Sequence, residues 1–422
     1  MTTESPPRAR TFEWWMLSNF AVGAGYSAFV SLLIPPFVNE VTGDASAAGV
    51  VMAIIALGAL LGPALGTFAD KYSAHRLVLV SGVGGMVLAF GMFALSAEVT
   101  ELYAIDAIVM GVAIAAISAV GPVFIVGARL PQDVEAKQLT TFSLMMPAGQ
   151  LAGGLLLAAV TSWTFSQRFW LGGGLMAVAL VVTWFTTAAP NRRLQAAIAA
   201  GEQEQSGVAK KAQKIGLKQV LISGFGIYIL VLVLSSVANN GVNSQIANIM
   251  PNVYGMDEQM TSAMIGLAGL LNIILFFPAG RWMARKGGFS PFTAGIVARF
   301  VAAIGLAVVG AVTSNAVLLG AAFMQVMYNA APFVRLAQPS LAVRYATFPA
   351  GQASGWVIAA SAIGSFIGSI LGGFLADAFG FNAINWMAVV AGGLSVLVLI
   401  LGLRPVEKKA AEKDDVVHVS QE

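Results

Sequence analysis

Long apolar runs separated by short polar connectors dominate the sequence. They cover residues 14–38, 47–69, 77–97, 102–126, 140–163 and 168–189 in the first half, and 219–250, 259–282, 291–313, 316–343, 352–376 and 381–403 in the second. Each run approaches or exceeds the roughly 20 residues that a helix needs to cross a hydrocarbon core. None shows the alternating pattern of a transmembrane β-strand. The pattern predicts an all-α membrane protein of about twelve spans.

The composition agrees with this pattern and argues against metal-binding and catalytic functions. Charged residues make up 10% of the chain and hydrophobic residues 58%, whereas soluble domains carry about 25% charged residues. The chain has no cysteine, and its two histidines, His75 and His418, lie outside the apolar runs. We therefore predict neither a metal site nor a cofactor, and no catalytic residues, because no nucleophile–base pair lies within the spans.

The basic residues predict the orientation. They concentrate in alternate connectors and at both ends, whereas the opposite connectors carry mainly acidic residues. This is the positive-inside pattern and not a nucleic-acid patch, so we expect an inner-membrane protein with both termini cytoplasmic. The predicted domains are a tail at 1–13, a six-helix bundle at 14–189, a linker at 190–217, a second six-helix bundle at 218–403 and a tail at 404–422.

The two halves share weak matches in the same order and at a nearly constant offset. The segment 66–71 matches 280–285, Gly153-Gly154 matches Gly372-Gly373, and Trp170 matches Trp386. Two six-span repeats imply a binding site between halves that can rock against each other.

The segment Gly66 to Arg76 resembles the loop signature of the major facilitator superfamily, a Gly-x-x-x-Asp-Arg/Lys pattern followed by glycine and basic residues. Gly66, Asp70 and Lys71 fit, whereas Ser73 stands where glycine is usual. Span count, central linker and repeat extend the resemblance over the whole chain.

The resemblance implies a conformational switch on one side of the membrane. It would be formed by Gly66, Asp70, Lys71, Arg129 and Arg285, with Asp70 bonding the start of span 11 near Ser354 and the side chain of Arg129. A solvated loop charge is the alternative for Asp70.

Glycines repeat at every fourth position on three spans. They are Gly58, Gly62 and Gly66 on span 2, Gly364, Gly368 and Gly372 on span 11, and Gly149 and Gly153 on span 5. Such spacing lets backbones approach closely. The resemblance implies that spans 2 and 11 face each other across the halves, as do spans 5 and 8; static packing within one half is the alternative.

Polar residues in the spans supply the candidate binding site. Arg335 lies within span 10, and an arginine can hold a carboxylate or phosphate in a fork. The resemblance implies that spans 1, 4, 7 and 10 line a central cavity. The full predicted set is Arg335, Tyr328, Asn329, Asn239, Asn243, Tyr26, Gln150 and Trp356. Asp106, near the outer end of span 4, is the candidate proton site.

The sequence thus predicts a secondary active or facilitative transporter that moves a small solute by alternating access, with a small organic anion favoured. A neutral polar solute such as a sugar, multidrug export, and a non-transporting assembly factor of the same fold are the alternatives. The expected partners are the solute, membrane lipid and, in a coupled mechanism, a proton. We expect no nucleic-acid partner, and a monomer.

Overall fold

The computed structural model describes residues 10–96, 102–128, 130–205, 223–313, 315–346 and 350–407. Twelve helices in this part of the chain are long and apolar enough to cross a membrane. We call them spans 1 to 12: Trp14–Thr42, Ala45–Lys71, His75–Leu95, Tyr103–Val126, Val134–Ala159, Phe165–Thr186, Gly224–Asn243, Glu258–Lys286, Phe289–Val312, Val317–Tyr345, Ala353–Phe379 and Asn382–Glu407. The predicted all-α membrane fold is confirmed.

Two spans depart from regular α-helix where candidate residues lie. Span 1 contains a π-helical stretch, Gly23–Val30, between the α-helical segments Leu17–Val22 and Ser31–Thr42. Span 10 consists of Val317–Asn329 and Ala331–Tyr345, and Pro332 stands at the start of the second segment. Proline lacks a donor for the preceding turn, which explains the interruption in span 10.

The contacts group the described residues into two compact units. Unit 1 comprises residues 1–212 and 257–273. In unit 1, span 3 packs against spans 4 and 6, span 2 against span 4, and span 1 against span 5. A linker helix, Ala188–Gln205, follows span 6. Residues 257–273, the first part of span 8, group with these elements rather than with unit 2.

Unit 2 comprises residues 213–256 and 274–422. Span 7 packs against spans 11 and 12, and span 9 packs against spans 10 and 12. Its core is built around the buried rings of Phe225, Tyr228 and Phe292. The apolar run predicted at 219–250 differs in one respect: span 7 ends at Asn243, and a separate short helix, Ile246–Tyr254, follows it.

Matching turns occur in the two units. Ser73, after span 2, has φ 52°, and Gly287, after span 8, has φ 70°. The offset that relates Gly66 to Gly280 also relates Ser73 to Gly287. Gly43 and Gly255 likewise both have φ 70° in the turns before spans 2 and 8. The repeat suggested by sequence therefore extends to backbone conformation at these turns.

The glycine stripes serve contacts within each unit. Gly364 approaches Val233, Gly368 approaches Val237, and Gly372 approaches Gly241, so the stripe of span 11 packs on span 7. On span 2, Gly58 meets Gly111 of span 4, whereas a Cβ added to Gly66 would have no atom of the described residues within 4 Å. The expectation that these stripes face the other half was wrong for Gly58 and for the span 11 glycines. It was also wrong for Gly149 and Gly153, which approach Phe20 and Ala24 of span 1. Glycine spacing defines a helix face but not the helix that packs on it.

Candidate functional site

Arg335 projects from the second segment of span 10. Its side chain is exposed at the protein surface. It lies near enough to the guanidinium of the half-buried Arg299 on span 9 for the two positive charges to repel each other. The Nε of Arg299 makes no hydrogen bond with any described residue. Two neighbouring guanidinium groups inside membrane spans form a locally positive site suited to an anion.

The amides of span 7 are half-buried and differ in their bonding. Asn240, next to Asn239, donates from Nδ2 to the carbonyl oxygen of Ser236 at 3.2 Å, one turn earlier. The Oδ1 of Asn243 is buried and accepts no hydrogen bond from the described part of the chain. A buried amide oxygen without a donor carries a desolvation cost, and a ligand hydroxyl or ammonium could remove that cost.

Asn329 and Trp356 are occupied mainly by contacts within unit 2. Asn329 donates from Nδ2 to the carbonyl oxygen and to Oε1 of Gln325, both at 2.8 Å. It also lines a mostly apolar crevice of about 250 Å³ beside spans 8 and 9. Trp356 packs against the unit 2 core, and Tyr328 is half-buried on span 10. Arg335, Tyr328 and Asn329 thus share one span, whereas Asn239 and Asn243 lie on another.

The two remaining predicted binding residues belong to unit 1. Tyr26 lies half-buried in the π-helical stretch of span 1, and such stretches often occur at functional sites. Gln150 on span 5 donates from Nε2 to the carbonyl oxygen of Ile265 on span 8 at 3.2 Å. Its amide therefore joins two helices, a role that sequence reasoning left open.

The glycines beside Gln150 explain how spans 5 and 8 approach. A Cβ on Gly154 would lie 2.5 Å from the backbone nitrogen of Gly266, and one on Gly269 would lie 2.6 Å from the carbonyl oxygen of Pro147. Distances under 3.0 Å exclude any side chain without a backbone shift. The implied meeting of spans 5 and 8 is present within unit 1.

Asp106 is fully buried in the first turn of span 4. Its Oδ2 accepts a hydrogen bond from the Ser96 hydroxyl at 2.8 Å, whereas Oδ1 has no partner among the described residues. A buried carboxylate oxygen without a donor carries a desolvation cost. This geometry suits a site that binds and releases a proton.

The predicted switch residues show a partner that sequence reasoning missed. Asp70 is exposed, and its Oδ1 lies 2.8 Å from Nε2 of His75, a histidine whose side chain is only 1% exposed. Lys71 lies over the ring of Tyr72, and Arg285 is exposed at the end of span 8. Arg129 lies outside the described residues. The Asp70–His75 spacing of five residues was the available sequence signal.

Two ion pairs in unit 1 were not predicted from the sequence. Glu13 accepts from the guanidinium of Arg193 through both oxygens, at 2.5 and 2.6 Å. Trp15 adds a donor to Glu13 at 2.9 Å. Arg168 forms the second pair, with Glu258 of span 8. The first pair fixes the linker helix to the segment before span 1.

Comparison with known proteins identifies the class. The sequence model of the Major Facilitator Superfamily matches residues 15–347, and the chain belongs to this family. It is therefore a multi-pass membrane transporter of small solutes and not an enzyme.

Individual relatives are more distant. The chain is 32% identical over 139 residues to a D-xylose transporter of Levilactobacillus brevis, a match that covers 32% of this chain and 29% of that protein. It resembles the crystal structure of a D-xylose-proton symporter with a TM-score of 0.69 and 14% identity, over 92% of this chain and 97% of the other. It also resembles a POT family transporter in complex with a thioalcohol-conjugated peptide, with a TM-score of 0.70 and 12% identity, over 93% of this chain and 96% of the other. The crystal structure of a nucleoside transporter is similar with a TM-score of 0.67 and 15% identity, over 92% of this chain and 96% of the other.

Proposed function

We propose that this transporter moves a small organic anion by alternating access, with Arg335 as the group that binds the anionic end. The exposure of Arg335 within a membrane span carries the proposal. An arginine facing lipid near the bilayer centre costs about 2.5–3.5 kcal/mol on insertion scales. A water-filled pathway is the better environment for an exposed guanidinium, and the neighbouring charge of Arg299 makes a bound anion favourable there.

The other predicted binding residues would complete the recognition. Tyr328 lies on the same span as Arg335, and Asn239 and Asn243 on span 7 supply amides. The Oδ1 of Asn243, which has no donor among the described residues, offers an acceptor for a substrate hydroxyl. We propose Tyr26 of span 1 as a further substrate-binding residue, since its π-helical stretch interrupts the regular hydrogen bonding of the span.

A neutral sugar is the second candidate substrate. The segment similar to a D-xylose transporter favours it, and amide side chains bind sugar hydroxyls as readily as carboxylates. For either substrate, we propose two six-span bundles at 14–189 and 218–403, both termini in the cytoplasm, an inner-membrane location and a monomer. We further propose Asp106 as the site of a coupling proton, and Asp70 with its neighbours as the switch that holds one side closed.

A thermal-shift experiment separates the candidates. Substrate at 100 times its Kd stabilises the folded state by about 2.7 kcal/mol. If small carboxylates or sugar phosphates raise the Tm, Arg335→Ala should weaken that binding roughly 10- to 150-fold, the equivalent of a charged hydrogen bond of about 1.5–3 kcal/mol. Arg335→Lys should restore part of it, because the charge remains but the fork is lost.

Arg281→Ala is the matched control, an exposed arginine at the far end of span 8, and should leave binding unchanged. A Tm raised only by pentoses or hexoses, and equally in Arg335→Ala, would reject the anion in favour of the sugar.

A further inference from the structure

A crevice of about 770 Å³ lies at the end of unit 1 where span 1 begins and span 6 ends. Arg10, Arg192 and Arg193 line it, and Glu13 is the acidic residue among its described lining side chains. Three arginines against one glutamate leave the crevice positive. Its chemistry suits an anion with several acceptor oxygens, such as a phosphate.

Arg193, one of the lining residues, is a buried donor. The residue is 9% exposed, and one of its terminal nitrogens already binds Glu13. Its Nε nevertheless makes no hydrogen bond within the described part of the chain. A buried guanidinium nitrogen without an acceptor is costly, so the pairing with Glu13 leaves the hydrogen-bonding capacity of Arg193 incompletely used.

The apolar surroundings of the crevice favour the phosphate of a lipid over a free phosphate ion. Phe185 lines the arginine crevice and also a second crevice of about 490 Å³ between spans 3 and 6. The second crevice is lined by apolar residues and Ser81. Trp14 and Phe185 are 60% and 73% exposed at the span ends, where aromatic residues mark the membrane interface.

We propose that this continuous surface binds an anionic phospholipid, with the phosphate among Arg10, Arg192 and Arg193 and an acyl chain between spans 3 and 6. A free phosphate would use the arginines alone and leave the second crevice unexplained. This lipid site would be occupied whichever solute is transported. The linker helix, which carries Arg192 and Arg193, would then make binding depend on the charge of the surrounding leaflet.

The test adds short-chain phosphatidylglycerol, short-chain phosphatidylcholine or inorganic phosphate to the detergent-purified full chain and measures Tm and lipid binding by native mass spectrometry. Phosphatidylglycerol should stabilise the protein more than the other two probes. The double variant R10Q/R192Q should bind it about 30-fold more weakly, taking roughly 1 kcal/mol for each basic residue at a membrane surface. R281Q/R404Q, which removes two exposed span-end arginines of unit 2, should bind it as the wild type does.

A second variant tests the acyl-chain crevice without touching charge. A Cβ on Gly84, which lines the crevice, would lie 3.8 Å from Leu180, an ordinary van der Waals distance. The ring of Gly84→Phe should therefore occupy the crevice and weaken phosphatidylglycerol binding at least tenfold. Gly174→Phe, at a position with open space among the described residues, is its control. Equal stabilisation by inorganic phosphate, equal binding of phosphatidylcholine, or unchanged phosphatidylglycerol binding in either R10Q/R192Q or Gly84→Phe would each overturn the proposal.

Discussion

Replacing Ser73 by glycine should stabilise this protein, although glycine usually weakens a structure. Ser73 has φ 52°, in the left-handed region. That conformation costs an L-residue about 1–2 kcal/mol, whereas glycine adopts it freely at an entropic cost of about 0.5–1 kcal/mol. The hydrogen bond from Gln195 is accepted by the backbone carbonyl of Ser73, so the substitution keeps it. The difference between these two costs predicts that the free energy of unfolding rises by about 0.5–1 kcal/mol.

The reciprocal change should act in the opposite sense. Gly287 has φ 70°, and a Cβ placed on it would have no atom of the described residues within 4 Å. Gly287→Ala would therefore introduce backbone strain without a steric clash, and we expect a loss of about 0.5–1 kcal/mol. The loss in this variant would therefore measure backbone conformation alone, without a change in packing.

Thermal unfolding in detergent, followed by tryptophan fluorescence, measures both changes. For a unit of about 200 residues, 1 kcal/mol shifts the Tm by about 2–4 °C. Ser81→Gly, within the helix of span 3, is the control and should lower the Tm because helical glycine costs entropy. If Ser73→Gly lowers the Tm as Ser81→Gly does, the left-handed conformation is not what limits stability at this turn.

Two further predictions concern buried charges. Glu13→Gln should destabilise unit 1 by about 3 kcal/mol, because Arg193 is left buried without its counter-charge, whereas the exposed Glu40→Gln should change the Tm little. The double variant E13Q/R193M should recover most of the loss, and a failure to recover would mean that the pair does not act through charge. Asp106→Asn should abolish uptake driven by a pH gradient while solute exchange in proteoliposomes persists, because the amide cannot carry the proton. Ser96→Ala should retain gradient-driven uptake in part, and full accumulation by Asp106→Asn would exclude Asp106 as the proton site.

The spans were predictable because lipid imposes length and polarity on each helix. Predicted run 102–126 became Tyr103–Val126, and run 47–69 became Ala45–Lys71. The break after Asn243 falls in a polar stretch, Asn243-Ser244-Gln245, which the run 219–250 included because apolar residues follow it. Hydropathy averages over a window and does not locate a turn of two residues such as Ser244-Gln245.

The site was less predictable than the spans, since a sequence pattern gives a helix face but not its partner. The glycines of span 11 share a face as expected, yet that face packs on span 7. Gln150 was assigned to binding by its polarity, and its amide holds span 8. The contact between Asp70 and His75 depends on the turn at Ser73, whose backbone is left-handed. The sequence has serine there and not glycine, so residue preference did not predict this turn conformation.

The π-helical stretch in span 1 has a consequence for comparing this chain with its relatives. Each residue added to a helix turns everything after it by about 100°. Side chains of Leu17–Val22 and Ser31–Thr42 therefore do not share the faces that a continuous α-helical wheel assigns to them. An alignment with a relative whose first span is α-helical throughout should place a gap within 23–30. Without that gap, residues on one side of Tyr26 would be matched to positions on the wrong face.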